Sequence, residues 1–179
     1  MNEETRKEKA RNKIVIRDIA KEDFDFVLEL NRVNVEVLSP MDSNKLLRFV
    51  EDGELVKIVE VEDEQGSRTP AAFIIVLREG LAWYDSENYR WFSANYPKFL
   101  YIDRIVIDEP FRNMGIGRKI YEYVFAHAEE TSVPAVTAEI DIIPYNEPSL
   151  IFHQRMGFRE VGTQVIRGGA IKVSLQVKE

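Results

Sequence analysis

The 179 residues contain no cysteine and only two histidines, His127 and His153. The missing thiols exclude a disulfide framework, a thiolate zinc site and a cysteine nucleophile. With so few imidazoles a metal centre is not expected. Long apolar runs are missing too, and no stretch approaches the ~20 residues that a membrane-spanning helix needs. The opening segment MNEETRKEKARNK is charged throughout and lacks the apolar stretch of a secretory signal. A soluble, cytoplasmic protein without membrane attachment is the expectation. Bases are outnumbered by acids, 24 to 31, giving a formal net charge of −7. An acidic chain repels polyanions, so nucleic acid is not an expected partner.

The 45% hydrophobic content suits one globular core rather than two. Residues 1–12 read as a flexible charged tail, and 13–179 as a single domain. Ile14 to Arg17 reads as a first strand. Phe24, Val27 and Leu28 recur at helical spacing, continued by Asn31 and Val35. Leu46, Leu47 and Val50 mark a second helix, with Asp42 or Ser43 as its N-cap. Residues 54–62 and 71–77 read as two strands around a loop at Gln65, Gly66 and Ser67, the second apolar enough to be buried on both faces. The aromatic segment 78–98 has two readings, a functional connection or a short helix over 86–95 packing aromatics on the core. The strongest strand is 99–107, stopped by Pro110. Ile116, Ile120, Val124 and Ala128 trace a helical face, 135–143 a strand, and 147–156 a helix ended by Gly157. Two strands, 159–166 and 170–178, close the chain around Gly168 and Gly169. The order predicts an α/β (α+β) fold, a mixed sheet with helices packed on it.

The segment Arg112-Asn113-Met114-Gly115-Ile116-Gly117 lies between a strong strand and a helix. A helix opens with N–H groups that have no intrahelical partner, and its dipole adds positive charge there. Such an opening suits phosphate or pyrophosphate, with glycine letting a ligand approach the backbone. Arg112 and Arg118 add positive charge. The loop lacks the lysine and hydroxyl residue of a Walker motif and the three glycines of a dinucleotide fingerprint.

Here the chain resembles the GNAT superfamily of acetyl-CoA-dependent N-acetyltransferases. Arg112, Gly115 and Gly117 match that family's loop signature. Asn146, Ser149, Phe152, His153, Gly157 and Phe158 match most of a second block at the family's separation. The resemblance implies a mostly antiparallel sheet with a splayed central strand pair, helices on both faces, and acetyl-CoA as co-substrate. It implies that the amides of residues 113–118 (Asn113, Met114, Gly115, Ile116, Gly117, Arg118) hold the coenzyme pyrophosphate. It further implies that Ile105, Val106 and Ile107 pair with the pantetheine amides, and that Asn146, Ser149, Phe152 and His153 line the arm and thiol. Arg155 stands where many members carry a base near the coenzyme phosphates. Most members have tyrosine four residues before the second block's glycine, protonating the leaving thiolate. This chain has His153, which either takes that role, only bonds the sulfur or a water, or is a packed histidine.

An amine must lose a proton before it attacks a thioester, and a carboxylate is the usual base. Glu139 and Asp103 rank together as candidates, with Asp141 third. Asp103 sits in an apolar strand and shares a face with Tyr101, while Glu139 and Asp141 share a face of the next strand. The competing reading of Asp103 is an ion pair with Arg104 or Arg90, and that of Glu139 a solvent-facing residue. Asn31, Tyr84, Tyr89, Trp91 and Tyr101 are expected to meet the acceptor, the aromatic faces suiting an apolar or cationic amine. The rival function is a non-catalytic coenzyme-binding sensor or partner domain. Edge pairing of the C-terminal strands points to a homodimer.

Overall fold

The computed structural model describes residues 13–35 and 38–179, so the expected tail at 1–12 lies outside the described residues. The described residues form two compact units, those of 13–76 with 104–120, and those of 77–103 with 121–179. Among the described residues there are five α-helices and seven strands.

In the first unit, β1 (Lys13–Asp18) pairs antiparallel with β2 (Leu55–Glu62), and β2 with β3 (Arg68–Arg78). The β2–β3 hairpin closes through Asp63, whose Oδ1 accepts from the amides of Gln65 and Ser67, both at 2.9 Å. This local side-chain acceptor fixes the turn and hence the register. Ala71 to Leu77 are all buried, as their unbroken apolar run predicts. Helix α1 (Phe24–Val33) buries Val27 and Leu30, and α2 (Ser43–Asp52) buries Leu46 and Phe49. Each pair is spaced by three, so it stacks on one helix face. Asp42 is the cap of α2, accepting from the Lys45 amide at 2.8 Å. The strand β4 (Leu100–Ile107) gives residues 104–107 to this unit, next to β3. A 3-10 turn (Glu109–Phe111) follows, then α4 (Ile116–Glu130) begins.

The second unit takes residues 100–103 of β4, then β5 (Val136–Ile143), β7 (Ile171–Lys178) and β6 (Arg159–Ile166) in spatial order. β5–β7 and β7–β6 are antiparallel. β7 lies between two partners and buries Val173 through Val177. The β4–β5 ladder is parallel and only two pairs long, Leu100↔Val136 and Tyr101↔Thr137. The aromatic segment contains a helix, α3 (Glu87–Asn95), capped by Ser86, whose hydroxyl accepts from the Tyr89 amide at 3.2 Å. Tyr89 and Phe92 are buried on it, three residues apart. Helix α5 (Glu147–Arg155) is capped by Asn146, whose Oδ1 accepts from the Ser149 amide at 3.3 Å. Gly157 follows it at φ +91°, the left-handed geometry that ends helices. Among the described residues no helix is long and apolar enough to cross a membrane.

Candidate active site

In the first unit, the turn before α4 has left-handed backbone at Asn113 (φ 63°) and Gly115 (φ 80°). Alternation of this kind makes a concave row of N–H groups. A Cβ added to Gly115 would meet no protein atom within 4 Å, so its backbone is open to a ligand. α4 starts at Ile116, and its first bond runs from the Lys119 amide to Gly115 O at 3.1 Å. The amides ahead of Lys119 have no intrahelical acceptor. Ile116 is buried and anchors the helix start, while Met114 and Gly117 are half-buried and Arg118 is exposed. Arg112 crosses back to the strand end, donating Nε to Ile107 O at 3.2 Å and Nη2 to Asn34 Oδ1 at 3.5 Å. On β4, Val106 is buried and Ile105 and Ile107 are half-buried. The turn therefore offers free backbone amides beside an open glycine.

Asn31 lies in the same unit and is 1% exposed. Its Oδ1 accepts from Arg104 Nη1 at 2.6 Å and its Nδ2 donates to Ser39 O at 3.3 Å. Arg104 also donates Nη1 to Ser39 O (3.1 Å) and Nη2 to Ser39 Oγ (2.8 Å), with the Phe49 ring 5.6 Å from its guanidinium carbon. The structure therefore places Asn31 as an acceptor for a buried guanidinium. Ser39 and Arg104 were not singled out as site residues by the sequence, since nothing in their spacing marks the contact.

The carboxylates fall in the second unit. The parallel ladder ends at Tyr101↔Thr137; Asp103 and Glu139 each lie two residues further along their strands, on the faces of Tyr101 and Thr137 respectively. The Tyr101 hydroxyl donates to Glu139 Oε1 at 2.7 Å. Glu139 Oε2 is buried and has no hydrogen-bond partner. Burial pushes the Glu139 carboxyl up to about 7; the Tyr101 bond pulls it down, the Asp103 charge raises it, and the Asn88 side chain lowers it slightly. Burial also raises Asp141, offset by the charge of Arg167. The Tyr84 hydroxyl donates to Asp103 Oδ1. The arginines considered for Asp103 have these contacts: Arg90 pairs with Asp85, and Arg104 bonds Asn31 and Ser39.

His153 is 5% exposed. Its Nδ1 lies 2.7 Å from Ser149 O, and its Nε2 lies 2.5 Å from the Tyr121 hydroxyl. A carbonyl only accepts, so Nδ1 carries the proton and Nε2 accepts from Tyr121. Burial lowers the proton affinity of His153. Tyr121 was missed by the sequence reading, although its spacing with Val124 and Ala128 marks a core tyrosine whose hydroxyl needs a partner. The ring of Phe152 meets Tyr121 edge-on at 5.1 Å, whereas Asn146 and Arg155 are exposed.

Tyr84 and Tyr89 line an open cavity of about 470 Å³ with Glu79, Leu81, Ser93 and Tyr96. The Tyr89 hydroxyl donates to Arg78 O at 2.5 Å and accepts from the Leu81 amide at 3.0 Å. Trp91 covers Gly162 of β6, where a Cβ would come within 3.2 Å of the indole.

The first unit thus carries a helix start with open backbone amides, and the second a carboxylate of raised proton affinity. The sequence profile of the Acetyltransferase (GNAT) family matches residues 39–158, and the chain belongs to that family. A search of curated protein sequences gives no match. Among solved structures, NAA60 from Arabidopsis thaliana in complex with acetyl-CoA has a TM-score of 0.70 at 19% identity, covering 93% of this chain and 99% of that one. The NatC complex bound to Gag peptide and CoA gives 0.69 at 15% identity, with 92% and 97% covered. Ard1 from Thermoplasma volcanium gives 0.67 at 14% identity, with 92% and 96% covered. These likenesses show the mixed α/β fold, seven-stranded and mostly antiparallel.

Proposed function

We propose that this family member moves the acetyl group of acetyl-CoA to a primary amine of a small molecule or peptide, with Glu139 as the base. The observation that carries this reading is the Glu139 carboxylate itself. One oxygen is held by Tyr101, and the other is buried without a partner. A buried acceptor left open is costly unless a ligand fills it. An alkylammonium is such a ligand, being both donor and proton source. With its carboxyl raised to about 7, Glu139 takes a proton from an ammonium far better than an ordinary carboxylate does.

The steps balance as follows. Glu139 removes one proton from the ammonium. The free amine attacks the thioester carbonyl carbon, forming the new C–N bond and a tetrahedral intermediate. The intermediate collapses, the C–S bond breaks, and the sulfur takes up the second proton lost by nitrogen. Glu139 then releases its proton to water. Residues 113–118 with Arg112 hold the coenzyme diphosphate. Ile105, Val106 and Ile107 receive the pantetheine arm, with Asn146, Ser149, Phe152 and Arg155 as further coenzyme contacts. Tyr101, Tyr84, Tyr89 and Trp91 are assigned to the acceptor side. Both nitrogens of His153 are engaged and Nε2 carries no proton, which supports a positioning role for it over that of acid. Asn31, as the acceptor of Arg104, is assigned to support of the acceptor side. The protein is expected to act in the cytoplasm, and a homodimer through β6 remains the proposed assembly.

The test is free-thiol release from acetyl-CoA across polyamines, amino acids and short peptides, the last included because the NatC relative binds a Gag peptide. Turnover whose kcat/KM rises with pH through about 7 in the native chain, with that limb lost in Glu139→Gln, supports the reading. Retention of the limb in Glu139→Gln sinks the base assignment. Coenzyme binding with no turnover on any amine favours the sensor.

A further inference from the structure

The cavity of about 470 Å³ in the second unit has the volume of a small-molecule site. Its aromatic wall is Tyr84, Tyr89 and Tyr96. Two of these turn their hydroxyls to the protein. Tyr84 donates to Asp103 Oδ1, and Tyr89 donates to Arg78 O while accepting from the Leu81 amide. Their rings are therefore what remains for a ligand. Ser93 also lines the cavity, and its proton goes to Tyr89 O at 3.0 Å, so its oxygen is left as an acceptor.

Glu79 brings a carboxylate to the same wall. Arg78 donates Nε to its Oε2 at 3.0 Å and Nη2 to its Oε1 at 2.9 Å, and the Phe99 amide donates to Oε2 at 3.2 Å. The Arg78 bonds, working against burial, hold the carboxyl down at about 2, so it stays ionised near neutrality. A carboxylate oxygen accepts two donors, and Oε1 has capacity for one besides Arg78. Arg78 itself is not among the residues lining the cavity. Arg90 lines it, but its side chain is 65% exposed and ion-paired with Asp85, so water and Asp85 both weaken its field. Ring faces, lone pairs and a fixed carboxylate suit an ammonium on a short apolar chain.

We propose that this cavity recognises a second ammonium of the acceptor through Glu79 and the tyrosine rings, which makes the acceptor a diamine or polyamine. The proposal rests on the assignment of Tyr84 and Tyr89 to the acceptor side and on Glu139 as the base. An ammonium paired with a carboxylate that stays ionised keeps its proton and cannot attack a thioester. The nitrogen that is acetylated must then be another one on the same molecule. Glu79 is thus an anchor and a determinant of specificity, whereas Glu139, with its open oxygen, is the group that takes a proton. The formal net charge of −7 favours the approach of a polycation.

The experiment compares α,ω-diamines, from 1,3-diaminopropane to 1,6-diaminohexane, with the amino alcohol and the monoamine of the same chain length. In free-thiol release from acetyl-CoA, kcat/KM for the best diamine should exceed that of its two analogues by about tenfold or more. Glu79→Gln should remove most of this preference, and Tyr96→Leu should reduce it by about threefold. Ala82→Trp, which narrows the cavity and leaves the Glu79 pair with Arg78 in place, should reduce it too, so a folding defect in Glu79→Gln does not decide the result. Calorimetry of the same amines without coenzyme should give the same order of affinity in the native chain and in Glu139→Gln, a readout that needs no turnover. A diamine that binds and reacts no better than its amino alcohol overturns the proposal, and so does a preference that survives Glu79→Gln. If the preference depends on Glu79 but Glu139→Gln keeps its acidic limb, the base assignment fails and the anchor stands. If that limb is lost and no diamine preference exists, the anchor fails and the base stands.

Discussion

The Tyr121 hydroxyl lies 2.5 Å from Nε2 of His153, while the opposite ring nitrogen gives its proton to Ser149 O at 2.7 Å. The pair joins α4 to α5 within an aromatic cluster that includes Phe125, Phe152 and Phe158. Every polar atom of the imidazole is satisfied, as a buried ring requires. The imidazole is therefore kept neutral, and the chemistry expected of position 153 from the family pattern is constrained by a residue on another helix.

Loss of the Tyr121 hydroxyl leaves Nε2 buried without a donor. Tyr121→Phe is expected to cost about 1–3 kcal/mol in urea unfolding. His153 also sets an acid sensitivity. Burial lowers its proton affinity below the free value of 6.5, so the unfolded chain binds a proton that the folded chain resists. The resulting stability is complete above pH 6.5 and falls as pH drops below it. His153→Gln should flatten this part of the stability–pH curve.

Glu139 gives the opposite dependence. Its folded carboxyl is raised from 4.5 to about 7, so its contribution is most favourable below 4.5 and is lost as pH rises through 7. Glu139→Gln removes that loss and should be more stable than the native chain at pH 8. The gain is at most on the order of 3.5 kcal/mol. Urea midpoints of both proteins at pH 5 and pH 8 check it, since the gap between them should widen at the higher pH.

Gly115 stands at φ +80° with open space over its backbone. Gly115→Ala strains the turn by about 1 kcal/mol and places a methyl where a diphosphate would approach. A folded protein with coenzyme A affinity weakened about tenfold or more is expected by calorimetry, on the order of 1.4 kcal/mol. Unchanged affinity would remove this turn from the binding site.

Asn31 supplies a 2.6 Å acceptor to the buried Arg104. Asn31→Ala should destabilise by about 1.5–3 kcal/mol, the range for hydrogen bonds to charged groups. Asn31→Asp should be milder, because a carboxylate can accept the same bond. Thermal melts of the two variants separate this supporting role from a direct acceptor contact, for which KM would change without a loss of stability.

What the sequence determined by itself is local. The apolar spacing of Ile116, Ile120, Val124 and Ala128, the caps at Asp42 and Asn146, and the glycine turn ahead of α4 each depend on residues within one or two helical turns. Chain geometry alone places these side chains on a common face or at a helix end, so they were legible without a structure. The aromatic segment stayed open between loop and helix because its apolar residues serve packing on several sides, and a sequence pattern does not say which. Only tertiary structure decided the partners of the charged groups. Asp103 met Tyr84, Arg104 reached Asn31, and Glu139 kept one oxygen open. Such pairings join positions far apart in sequence, and hydrogen bonding and desolvation depend on the full surroundings of each atom, which no spacing rule encodes.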